Sequence, residues 1–189
     1  MNPPLNEHET EYLRAFSATR RWDRPAGPHV VLPHPLADDE PDDADIDSYN
    51  RPAPGEPGLW CPWTATTDGR AISFDGMEKA YRPVEWLRYL IDTFLAPDAT
   101  VAAVADPVFD RFTVDHVCDG AVAFCRRDTG RVSVILVTDN TVDERVLLPG
   151  VPEGVVWAGL PYEAEADRHR QAAAIRRAAY DQRLVSRVP

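Results

Sequence analysis

The chain is 189 residues long, with 31 acidic against 20 basic side chains, a formal charge of −11 and a pI near 4.8. That length allows one self-sufficient core with attached segments rather than two full domains, and the charge repels phosphate backbones and anionic lipid, so nucleic-acid binding is not expected. No stretch approaches the roughly 18 consecutive apolar residues of a membrane span, and Met1 to Phe16 lacks a basic segment followed by an apolar one, so the chain reads as cytoplasmic, without a secretory leader.

Asn6 stands three residues before Glu9, the arrangement of a reciprocally capped helix start. Tyr12, Leu13 and Phe16 then fall on one side, which predicts a short helix ending near Arg20 within an N-terminal segment 1–23. From 24 to 58 the composition turns Pro-rich and acidic. Prolines block helix and inner-strand pairing there, and Asp38, Asp39, Glu40, Asp42, Asp43, Asp45 and Asp47 repel one another, so an extended arm or linker is expected.

A core domain is predicted over 59–150. Leu59 to Thr66 and Ala71 to Phe74 read as two strands joined by Asp68-Gly69, a pair that supports a type I′ hairpin turn. Pro83 suits the first turn of a helix. Val84, Leu87, Leu90, Ile91, Phe94 and Leu95 then share a face, and Pro97 ends the run. Thr100 to Ala105 is Ala/Val-rich and does not separate helix from strand. Phe112 to Cys118, Ala121 to Arg126, Val132 to Thr138 and Val142 to Leu147 read as strands separated by short turns. Val132 to Thr138 has apolar residues on both faces, which predicts a central strand. Beyond it, 151–189 holds a connector and an Ala-rich helix from about Glu163 to Val185, acidic early and arginine-rich late, in keeping with the helix dipole. The expected fold is α+β: an antiparallel meander sheet with one covering helix, plus N- and C-terminal helices.

The run from Trp60 to Pro97 combines Trp60 and Trp63, two Asp-Gly pairs, then Glu78, Lys79 and Tyr81 ahead of Glu85 to Ile91. Continued to Leu148, with Asp119-Gly120 as a hairpin turn, it resembles a family of uncharacterised small bacterial proteins found in actinobacterial genomes and mobile elements. Ala80 stands where that family often carries an aromatic residue. The resemblance implies no catalytic residue, and the segments at both ends lie outside it.

His116, with Asp115 beside it and Cys118 two residues on, has the residue types of a thiol nucleophile with base and orienting carboxylate. On a strand, however, Asp115 would face away from His116. Asp75, Glu78 and Glu85 could divide acid and base roles, yet the Glu78-Lys79 step more simply orders the hairpin-to-helix connection, with Lys79 pairing a local acid and the Tyr81 ring packed on the sheet. Cys61, Cys118 and Cys125 form no metal-type pattern and read as buried or half-buried small side chains. Trp60, Trp63 and Trp86 read as core or core-edge residues. Trp22 and Trp157, in the flanks, are candidates for intermolecular or arm-to-core anchoring.

The binding candidates are therefore Trp22, Asp75, Glu78, Lys79, Tyr81 and Trp157, with no catalytic residue, metal or cofactor assigned. The expected function is a non-catalytic intracellular protein-interaction module, self-associating through its terminal arms or binding another protein. Two alternatives stand beside it: an enzyme with a site near Glu78 to Tyr81 and His116 to Cys125, and an acidic nucleic-acid mimic, built on Asp38 to Asp47, that occupies a basic protein.

Overall fold

Asn6 and Glu9 close the reciprocal cap that their spacing predicts. The Asn6 side chain accepts the Glu9 N–H at 3.0 Å, and the Glu9 carboxylate accepts the Asn6 N–H at 2.8 Å. The computed structural model describes residues 1–31, 46–77, 80–151, 168–169 and 171–173. Helix α1, Glu7–Ala18, turns Tyr12, Leu13 and Phe16 into the interior. Asn6→Ala should lower stability by about 1 kcal/mol through loss of the cap; urea denaturation checks it, and an unchanged midpoint would mean the cap is dispensable.

The chain divides into two units, Met1–Phe124 with Ser133–Leu147, and Cys125–Val132 with Leu148–Pro189. In the first, α1 is followed by a short helix α2, Ile46–Tyr49, and then by strands β1, Trp63–Ala65, and β2, Ile72–Phe74, paired antiparallel with Thr64 opposite Ser73. The expected type I′ turn is not what joins them. Gly69 has positive φ (67°) but Asp68 does not; its carboxylate instead accepts from the Thr66 hydroxyl and the Arg70 N–H, drawing a longer loop together. Gly69 needs its missing side chain twice over, because a Cβ there would stand 2.6 Å from the Leu5 carbonyl.

Helix α3 is Pro83–Leu90, with proline in the first turn as predicted, and it continues as a π-helical turn, Ile91–Leu95, where a plain α-helix was expected. Thr100–Ala103 settles as a 3-10 turn. Strands β3, Gly120–Cys125, β4, Val132–Thr138, and β5, Thr141–Leu148, form an antiparallel meander in the order β3-β4-β5. β4 is central, as its pattern implies, with Ser133 and Ile135 buried. Asp139 and Asn140 (φ 49° and 61°) make the two-residue turn between β4 and β5. The strand expected over Phe112 to Cys118 does not form. Val114 takes φ 43°, which breaks the extended run, and only Val117 bridges, to Asn2.

One buried cluster joins α1, β1, α3, the π turn, Ile135 of β4 and Val142 of β5. Phe16 is its centre, with ring contacts to Tyr12, Trp86, Tyr89 and Phe94. Helix α3 covers the sheet, and its Arg88 donates to the Val142 carbonyl at 3.1 and 2.7 Å. The end of the stretch expected to be an arm, 51–58, and the first core residue, Leu59, run beside 21–23: Asp23 donates its N–H to Arg51, Ala53 to Arg21, and Arg21 to Leu59. Ala53 and Glu56 are buried. The acidic run Asp38 to Asp45 lies outside the described residues.

In the second unit, Asp128-Thr129-Gly130 turns the chain, with the Arg126 N–H donated to Arg131 and the Val151 N–H to Thr129. Residues 168–169 and 171–173 are helical, while the rest of the predicted C-terminal helix lies outside the described residues. No helix among the described residues is long and apolar enough to cross a membrane.

Candidate functional site

Of the predicted binding residues, the structure describes Trp22, Asp75 and Tyr81. Trp22 is buried, its ring 5.8 Å from Tyr49 with the Arg24 guanidinium 4.8 Å from its centroid, so of its two expected roles, anchoring within the chain fits its burial. Asp75 is exposed and accepts the Met77 N–H. Tyr81 is 69% exposed, so its ring does not pack on the sheet as expected. Glu78, Lys79 and Trp157 lie outside the described residues. Trp63 and Trp86 are buried, as expected for core residues, whereas Trp60 stays 41% exposed under the Arg20 guanidinium.

His116 is fully buried and its ring is engaged at both nitrogens. Nδ1 meets the Pro3 carbonyl at 2.9 Å; Nε2 meets the Glu9 carboxylate at 3.3 Å and the Thr113 hydroxyl at 3.2 Å. Burial works against a charged imidazole, but the Glu9 hydrogen bond and the Pro3 carbonyl outweigh it and raise the pKa. Glu9 is also disfavoured by burial, yet hydrogen bonds from His116, from Thr113 and from the Asn6 N–H hold it down at about 2. Asp115 reaches only 3.9 Å and is mostly exposed. Burial pushes the Cys118 thiol up to about 11 and that of Cys61 to about 12, away from the thiolate a nucleophile requires. The His116 trio is thus a clasp between the N-terminus, α1 and 113–118. The sequence reading gave Glu9 a capping role alone; nothing local announces its second partner.

A second buried pair lies under residues 51–59. The Arg21 guanidinium donates through Nε and Nη2 to Glu56 at 3.1 and 3.0 Å, to the Val30 carbonyl at 2.6 Å and to the Pro28 carbonyl, and stacks 3.8 Å from the Phe16 ring. Burial pushes Glu56 up to about 7, against the opposing pull of Arg21. Glu56 forms part of the lining of an open cleft of about 410 Å³, with Tyr89, Asp92 and Thr93 of α3 and its π turn, and with Arg82, Glu85 and Arg88 at the rim. Around the cleft, Arg82 and Arg88 stand against Glu85 and Asp92. Arg82 is paired with Glu85 at 3.4 Å and Arg88 with the Val142 carbonyl, so these groups are tied to the fold. Among the described residues, no three His, Cys, Asp or Glu side chains converge as metal ligands.

Among the described residues, no strand pairs with the outer edge of β5, where Arg88 holds the Val142 carbonyl. β5 ends the three-stranded sheet, and Val146 and Leu147 are 47% and 59% exposed on it. Apolar side chains on an unpaired strand edge invite another strand, because main-chain donors and acceptors stand ready beside them. No family model, curated protein or solved structure matches the chain.

Proposed function

We propose that this protein is a non-catalytic, intracellular protein-interaction module whose contact surface is the open edge of β5. The exposed Val146 and Leu147 on a terminal strand carry this reading. It is supported by the use of the buried ionisable groups, Glu9 with His116 and Arg21 with Glu56, which serve the fold. The unbridged Cys61, Cys118 and Cys125 support an intracellular setting. Val146→Lys places a charge on the edge without touching the interior. It should abolish strand-mediated binding in affinity capture while the melting temperature stays put; undiminished capture would overturn the reading.

A second reading, small-molecule binding, is favoured by Glu56, a buried carboxyl that burial pushes up to about 7 beside an open cleft. A thermal-shift screen of metabolites against the wild type and Asp92→Ala tests it: a compound that raises the melting temperature of the wild type and not of the variant supports this reading, and no shift for any compound sinks it.

A further inference from the structure

We infer that β5 pairs antiparallel with β5 of a second copy of this chain, in the register that sets Glu144 opposite its own counterpart. This rests on the interaction reading above and names its partner. With a two-residue turn at Asp139-Asn140, Thr138 and Thr141 flank the turn, and backbone groups along β5 alternate toward and away from β4. Val142, Glu144 and Val146 then turn theirs outward. The two bonds from Arg88 to the Val142 carbonyl fit that phase, since an outward carbonyl is the one a side chain reaches from the edge, and they occupy that carbonyl, so the seam bonds come from the Val142 N–H, both main-chain groups of Glu144 and the Val146 carbonyl of each copy.

Two copies of one strand, related by a twofold axis through the sheet, keep the same face up, so their register centres on a residue rather than between two. The charges choose which. Centred on Asp143, the register opposes two aspartates; centred on Arg145, two arginines. Centred on Val146, it leaves Arg145 facing Leu147 and Asp143 facing Pro149. Centred on Glu144, it sets Asp143 of each copy against Arg145 of the other, twice, and lays Val146 over Val142 and Leu147 over Thr141. Its one like-charged pair is Glu144 with its copy, and Glu144 already has an interaction within its own chain. A strand pair of this length lies at the small end of specific interfaces, so the dimer is reversible and depends on concentration.

The test is sedimentation velocity on the full chain as wild type, Asp143→Arg, Arg145→Asp and the double exchange, with melting temperatures to confirm folding. The wild type should dimerise as concentration rises. Each single exchange opposes like charges twice and should weaken association about tenfold or more, and the double exchange should restore it. A wild type that stays monomeric, or a folded double exchange that fails to recover, overturns the pairing. Affinity capture with wild type and Val146→Lys separates the two levels. If the wild type is monomeric yet captures a host protein that Val146→Lys releases, self-pairing falls and the interaction reading stands; if neither binds, both fall.

Discussion

At pH 8, above the Glu56 pKa of about 7, Glu56→Ala is expected to remove about 3–5 kcal/mol of stability, the range for breaking a buried ion pair from one side. The Arg21 and Glu56 side chains are 1% and 0% exposed, so the alanine leaves a guanidinium in the interior with no carboxylate partner. Pro28 and Val30 carbonyls still hold two of its N–H groups, which keeps the loss from exceeding that range. The companion variant tells more. Arg21→Met with Glu56→Leu removes both charges and keeps apolar volume under Phe16, and it should be markedly milder than Glu56→Ala alone. Urea denaturation of the two single variants and the double one gives the coupling; a double variant as damaged as the sum of the singles would show that Arg21 and Glu56 act independently.

Stability should peak near pH 4.5 to 5, more acidic than the usual optimum, because two buried carboxyls are displaced in opposite directions. Glu56 is raised to about 7 by burial, so its contribution is complete below the unfolded value of 4.5 and is lost as pH rises through 7. Glu9 is lowered to about 2 by hydrogen bonds that outweigh burial, so its contribution is complete above 4.5 and is lost as pH falls toward 2. At about 1.4 kcal/mol per pH unit, each limb amounts to roughly 3 kcal/mol. The histidines oppose one another. His116, raised, contributes below about 6.5 and loses that share as pH rises. His29, lowered by burial and by Arg21, contributes above about 6.5 and loses its share as pH falls. Chemical denaturation at low protein concentration, to avoid association near the pI of 4.8, should trace the peak. Glu56→Gln should flatten the alkaline limb and Glu9→Gln the acid one. A wild-type maximum at about pH 7 to 8 would contradict the assignment of Glu56.

The parts of the fold legible in the sequence are those whose cause is local. Asn6 and Glu9 are three residues apart, Pro83 stands at the head of its helix, and Asp139-Asn140 sits between two apolar runs; each cue and its consequence share one turn of chain. Phe112, Val114 and His116 alternate like a strand, but the Val114 backbone turns to φ 43° while the Thr113 N–H and His116 bind Glu9. That contact comes from far upstream and no period records it. Arg21 and Glu56 are likewise 35 residues apart, within a stretch that reads as linker by its prolines. The candidate surface was hidden for the opposite reason. Val142 and Val146 share one face of β5 and look equally like core residues, yet Val142 joins the buried cluster and Val146 lies beyond it, exposed.

Phe16 in α1, reached by rings from Trp86, Tyr89 and Phe94, makes the opening helix a keystone for elements read off the chain much later. The opening helix and the later-synthesised α3 with its π turn must therefore find one another before either is safe from solvent. Trimming the sequence to its middle would not isolate a sturdier fragment; it would strip the interior of its plug and present a wet aromatic cavity to chaperones and proteases.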